Sequence, residues 1–121
     1  MLFYNFITFL LPKGDIMRYK TYKLQKLEKT RTESLFTNDM DHCYLCNEEE
    51  PIPKDDIHEV YQGRNRHNSI KYKLIIPVCR KHHDELHDNQ QLQNILKKQG
   101  QILFEQNYDI DFVSIFYKNY K

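Results

Sequence analysis

The sequence contains no alanine and no tryptophan, and its 121 residues include only three glycines, four prolines and three cysteines. So little glycine and proline excludes a collagen-like chain, and the composition fits neither a coiled coil nor a mucin-like stalk. No run of 18 apolar residues occurs, which excludes a membrane-spanning helix. No segment repeats. Neither sign of charge dominates: 18 Lys and Arg stand against 17 Asp and Glu, a net of +1. Total charge therefore does not draw the chain onto nucleic acid or a membrane. The missing alanine accompanies abundant Ile, Lys, Asn and Tyr. These residues have AT-rich codons and point to an AT-rich genome rather than to a physical property.

An odd number of cysteines does not suit a secreted disulfide scaffold, which carries an even set. Leu2 to Leu11 is apolar, but no basic region precedes it and no small-residue cleavage site follows, as a signal peptide requires. These absences predict a cytoplasmic protein of a bacterial cell whose cysteines stay reduced and bind metal. With 40% apolar and 29% charged residues, the chain is one small domain near the lower limit for building a core. A metal staple helps at that size.

Three regions are expected. Residues 1–16 are either upstream read-through or disordered, the alternative being a strand or helix packed on the domain. Lys13-Gly14-Asp15-Ile16-Met17 back-translates to a ribosome-binding site followed by a start codon, so translation is expected to begin at Met17. Residues 17–40 form a basic arm, in which Arg18, Lys20, Lys23, Lys26, Lys29 and Arg31 face only Glu28. Tyr19, Tyr22, Leu24 and Leu27 are interleaved. Such an arm either follows phosphates or is a solvated helix face. Residues 41–121 form the main domain.

All six histidines and all three cysteines fall between residues 42 and 87, which argues for a core organised by metal. Ile57 to Tyr61 alternates like a strand, Gly63 and Asn65 are turn formers, and Tyr72 to Val78 is a second β-rich run. From His83 onward apolar residues recur at helical steps, with Gly100 expected to weaken or interrupt the helix. Phe112, Val113, Ile115, Phe116, Tyr117 and Tyr120 are apolar enough to fold back onto the domain.

Cys43-x-x-Cys46 is matched further on by Cys79-x-x-His82. Zinc takes four ligands in a tetrahedron, and a two-residue gap lets one knuckle supply two of them. Cys43, Cys46, Cys79 and His82 therefore predict a closed structural zinc site, with His83 an alternative fourth ligand. A second set is open. His83 and His87 lie one helical turn apart, and a ββα arrangement brings His58 of the preceding strand opposite them. Three imidazoles leave coordination positions free, as a catalytic metal site does.

The segment from Cys43 to His87 resembles the HNH, or ββα-metal (His-Me finger), nucleases, and more narrowly small HNH-like proteins of phages and prophages of low-GC Gram-positive bacteria. The pieces that carry the resemblance are Cys43-Tyr44-Leu45-Cys46, Ile57-His58-Glu59-Val60 and Gly63-Arg64-Asn65-Arg66 with Ser69. Tyr72 to Val78, Cys79-Arg80-Lys81-His82-His83, His87-Asp88-Asn89 and the ending Ile115 to Tyr120 complete it, over about residues 41–120.

The resemblance implies an α+β, zinc-stapled ββα-metal domain with additional C-terminal helices. It implies a divalent-metal-dependent DNA endonuclease, phage-encoded and acting in DNA processing or recombination. His58, His83 and His87 would hold one catalytic cation (Mg²⁺, Mn²⁺, Ni²⁺ or Zn²⁺) beside the structural Zn²⁺. The family's general base falls at Glu59 and its orienting asparagine near Leu74, so neither role has its usual residue here. Glu59 is then the candidate base or an extra ligand, with His67 another candidate base. Arg64, Arg66 and Lys71 would clamp phosphates. The acidic block Glu48, Glu49, Glu50, Asp55 and Asp56 is expected to have no site role. DNA is the expected partner, without a membrane, alongside a second copy of the chain or phage and host recombination or replication proteins. The rival expectation is a catalytically inactive zinc module that binds nucleic acid or protein.

Overall fold

The computed structural model describes residues 22–46 and 49–121. The expectations for residues 1–16, for Arg18, Tyr19 and Lys20, and for Glu48 lie outside them. Among the described residues the fold is α+β, with one two-stranded sheet and five helices: α1 (Tyr22–Glu28), β1 (Asp56–Glu59), α2 (Arg66–Lys71), β2 (Ile75–Val78), α3 (Arg80–Asp88), α4 (Gln90–Asn107) and α5 (Phe112–Phe116). Within them no helix is long and apolar enough to cross a membrane.

β1 and β2 pair antiparallel, with His58 opposite Ile76 and Glu59 opposite Ile75. The β-branched residues Ile75, Ile76 and Val78 suit a pleated, covered strand, and all are buried. The first strand is shorter than Ile57 to Tyr61, because Tyr61 takes its main-chain partners from a side chain. Ser69 Oγ accepts from Tyr61 N at 2.9 Å and donates to Tyr61 O at 2.7 Å. The second strand begins at Ile75 rather than Tyr72, because Lys73 adopts φ 62°, which no extended strand accommodates. Between the strands, Gly63 at φ 65° opens a 3-10 turn, Gly63–Asn65, that runs into α2. That helix was not anticipated.

The outer edge of β2 is occupied from both ends. Ser34 Oγ donates to Ile75 O, and Tyr44 N donates to Pro77 O at 2.9 Å. Pro77 has no N–H to offer there. The second of these bonds lays the Cys43–Cys46 turn beside Cys79. Leu35 N also bonds Lys73 O at 2.9 Å, so the segment after α1 lies along the domain.

α3 starts at Arg80, one turn earlier than the apolar pattern suggests, with Cys79 in extended conformation at its N-cap. The break in the following helical stretch falls at Asn89, whose side chain accepts from Leu92 N and caps α4. α4 runs unbroken through Gly100, contrary to expectation. A Cβ at that position would lie 2.7 Å from Tyr61 Oη, so glycine is there to let the tyrosine reach the helix, where it donates to Lys97 O.

The core compensates for its small size with aromatics. Tyr61, Phe104, Phe112 and Phe116 are fully buried. Phe112 and Phe116 stack with centroids 4.6 Å apart, and Tyr61 meets Phe116 at 4.7 Å. Such pairs add about 0.5–1.5 kcal/mol each beyond their burial. The C-terminal segment folds back onto the domain as its composition predicts.

Candidate metal centre and histidine cleft

The two knuckles meet. Cys43 sits after the His42–Pro53 bridge, Cys79 at the N-cap of α3, and His82 in that helix's first turn. His82 Nδ1 lies 3.5 Å from Cys43 Sγ, 3.3 Å from Cys46 Sγ and 3.2 Å from Cys79 Sγ, and the Cys46 and Cys79 sulfurs are 3.7 Å apart. A tetrahedron with Zn–S near 2.3 Å and Zn–N near 2.05 Å has edges of about 3.8 Å between sulfurs and about 3.6 Å from sulfur to nitrogen. The four donors are thus close enough to hold a metal ion, and three thiols with one imidazole suit zinc.

Crowding of the thiols gives the same indication. Burial first, then Cys43 and Cys79, push the Cys46 thiol up to about 12. Burial also acts to raise Cys79, but a backbone hydrogen bond at His82 and the neighbouring side chains outweigh it and bring that thiol down to about 7. A dication among these sulfurs replaces their protons and removes the conflict. Of the two histidines open to the fourth position, the geometry selects His82.

On the other side of α3 a cleft of about 450 Å³ opens, lined among others by His58, His83, His87, Glu59, Arg31 and Arg66. Consecutive residues on a helix diverge by about 100°, so His83 turns toward β1 while His82 faces the thiols. The His58 and His83 rings are 6.2 Å apart between centroids, and His83 and His87 are 4.9 Å apart. The three histidines therefore share one cleft. Their nitrogens do not close into a ligand set: the Cys₃His cluster is the one group of three or more metal-binding side chains that does so among the described residues.

Burial, then the neighbouring His83, His87 and Lys97, brings His58 down to about 4, so it is neutral at pH 7. Gln62 Nε2 lies 3.4 Å from its Nδ1. Nδ1 of His83 is buried without a hydrogen-bond partner. Its nearest carboxylate oxygen, Asp56 Oδ2, is 3.6 Å away, beyond hydrogen-bonding range. Asp56, expected to have no site role, thus lines the cleft.

Glu59 is buried and engaged. Its Oε1 accepts from Arg66 Nε at 2.8 Å and from Arg31 Nη1 at 3.2 Å. Arg66 Nη2 also donates to Glu28 Oε2 at 3.1 Å. Arg64 and Lys71 face elsewhere: the Arg64 guanidinium lies over the Tyr117 ring at 4.8 Å, and the Lys71 ammonium is 5.4 Å from the Tyr72 centroid. His67 is exposed on α2, and Leu74 is fully buried in the core. The cleft residues that sequence reasoning missed as site residues are Glu28, Arg31, Asp56 and Gln62. The only sequence signal for the first two was their i,i+3 spacing in a basic arm.

Comparison with protein-family models, curated proteins and solved structures finds no match.

Proposed function

We propose that this protein is a divalent-metal-dependent DNA endonuclease of the HNH type, built on the β1–β2–α3 unit and stapled by structural zinc at Cys43, Cys46, Cys79 and His82. The observation that carries the proposal is the shared cleft. His58 from β1 and His83 and His87 from α3 line it together with Arg31 and Arg66, and the cysteine cluster fastens the first turn of the same helix.

The nitrogens of the three cleft imidazoles do not converge, but one ring is neutral at pH 7 and one has a buried nitrogen lacking a partner, a donor chemistry that would suit a second cation once the rings turn inward. His58, His83 and His87 would hold it, and it would neutralise charge on the phosphate and make bound water more acidic. Arg66, on the cleft wall, would hold the phosphate. Glu59 is the candidate base for the attacking water. The water oxygen bonds to phosphorus, its proton passes to the carboxylate, and the P–O bond to the sugar breaks with its electron pair on the departing oxygen. That oxygen is then protonated from solvent.

A second reading has its own support. Glu59 Oε1 is held by two guanidiniums, and the sequence position of the family's orienting asparagine falls near Leu74, which is apolar and buried. On that reading the chain is a non-catalytic zinc module for nucleic acid or a protein partner. Supercoiled plasmid incubated with Mg²⁺, Mn²⁺, Ni²⁺ or Co²⁺ separates the two. Nicking that is lost in His83→Ala, with one zinc per chain retained, supports the enzyme. Binding without nicking under every cation supports the module.

A further inference from the structure

Glu28, Arg31, Glu59 and Arg66 form a closed ring on the wall of the histidine cleft. Arg66 bonds Glu59 through Nε and Glu28 through Nη2. Arg31 bonds Glu59 through Nη1 and has Glu28 Oε2 3.6 Å from Nη2, while its Nε donates to Glu28 O at 3.1 Å. The ring joins three separate parts of the chain: the end of α1 and the residues after it, β1, and α2.

The ring is not symmetrical toward solvent. The side chains of Arg31 and Arg66 are 18% and 27% exposed, those of Glu28 and Glu59 14% and 10%. The carboxylates are the more covered members and the guanidiniums the more open ones. A guanidinium has five N–H donors in a planar fork. Arg66 commits Nε and Nη2 to the ring, which leaves the N–H groups of Nη1 outside it. Two fixed guanidiniums on one wall match the oxygens of a phosphodiester. Exposed Lys23, Lys26 and Lys29 lie along α1 and just beyond it, and extend positive charge away from the cleft.

We infer that Arg31, supplied by the segment after α1, is a phosphate-binding residue of the site. It forms with Arg66 a two-guanidinium clamp for the backbone phosphate of DNA, and Glu28 and Glu59 are positioning residues that hold the pair in register. The inference rests on the cleft being a phosphodiester site. It goes beyond that reading by making residues 22–31 part of the site.

The test is duplex binding by fluorescence anisotropy at several salt concentrations. It uses the zinc-loaded full chain without added Mg²⁺, with plasmid nicking measured separately. Each phosphate contact contributes a slope of about −0.9 in log K against log salt. Arg31→Gln is expected to weaken binding roughly tenfold on every sequence and to flatten the slope by about one unit. Arg31→Lys, which keeps the charge without the fork, is expected to restore the slope but not the full affinity. Arg31→Gln with an unchanged slope, together with wild-type nicking, overturns the clamp and leaves the endonuclease standing. That result holds even if the variant's melting temperature falls, as it would for a mere brace between α1 and β1. Wild-type protein that neither binds nor nicks DNA overturns both.

Discussion

His82 and His83 are neighbours in the first turn of α3, yet they belong to different centres: Nδ1 of His82 lies 3.2 Å from Cys79 Sγ, and Nδ1 of His83 lies 3.6 Å from Asp56 Oδ2. One turn of helix is thus the shared wall between the cysteine cluster and the cleft. Anything that loosens the first shifts the second.

The first prediction follows from that wall. Apparent binding free energy at a structural zinc site is about 10–16 kcal/mol, comparable to the roughly 5–15 kcal/mol that stabilises a whole domain. Chelation is expected to unfold the chain cooperatively, and Cys79→Ser to do so without chelator. His82→Cys is expected to keep one zinc per chain, and His83→Ala to leave zinc content untouched. Metal analysis with far-UV circular dichroism checks all four. A His82→Ala protein that stays folded with full zinc would refute the ligand set.

His58 sets a pH dependence. Its folded value of about 4 lies below the ordinary imidazole value of 6.5, mainly through burial. Between those values the unfolded chain binds the extra proton, so stability rises with pH. The contribution is complete above pH 6.5 and is lost as pH falls toward 4, at most about 3 kcal/mol for a shift of this size. Acid also releases zinc, so the observable is a difference. His58→Asn is expected to lose less stability than wild type between pH 6.5 and 4.5 in urea titrations. Parallel curves would remove His58 as the cause.

Glu59→Gln separates two roles of one carboxylate. As base, its loss is expected to lower nicking by about 10²-fold or more. As the partner that holds Arg31 and Arg66 in register, its neutralisation is expected to weaken DNA binding by a few-fold. Unchanged binding and unchanged nicking would contradict both.

Gly100→Ala tests the contact with Tyr61. Alanine gains about 1 kcal/mol of helix propensity, but its Cβ would sit 2.7 Å from Tyr61 Oη and 3.3 Å from two ring carbons. Overpacking of that kind costs about 1–3 kcal/mol, so the variant is expected to be less stable than wild type. Tyr61→Phe removes the nearest atom and is expected to recover part of the loss in the double variant. A stabilised Gly100→Ala protein would show that the tyrosine gives way freely.

The cysteine cluster was legible because ligand spacing is a local property of the chain: Cys43-x-x-Cys46 and Cys79-x-x-His82 each make one turn. The two strands were likewise legible as short apolar-rich runs, though with later or earlier bounds than the structure shows. What sequence could not give was tertiary. Arg31 enters the cleft through ion pairs to Glu28, three residues back, and to Glu59, far along the chain. No periodicity encodes the second of these. Gly100 read as a helix breaker because its partner, Tyr61, is distant in sequence. The assignment of His82 to the thiols and His83 to the other site was expected from the spacing and agrees with the structure, whereas the start of α3 lies one turn earlier than the apolar pattern indicated.

The bonds from Ser34 to Ile75 O and from Tyr44 to Pro77 O have a consequence for the metal-free chain. A two-stranded sheet with an open edge invites a third strand from another molecule. Here the Cys43–Cys46 turn closes half of that edge, and zinc keeps the turn in place. Protein that unfolds on losing metal should therefore self-associate through the exposed Ile75–Val78 segment, and a bound cation would guard solubility as much as shape.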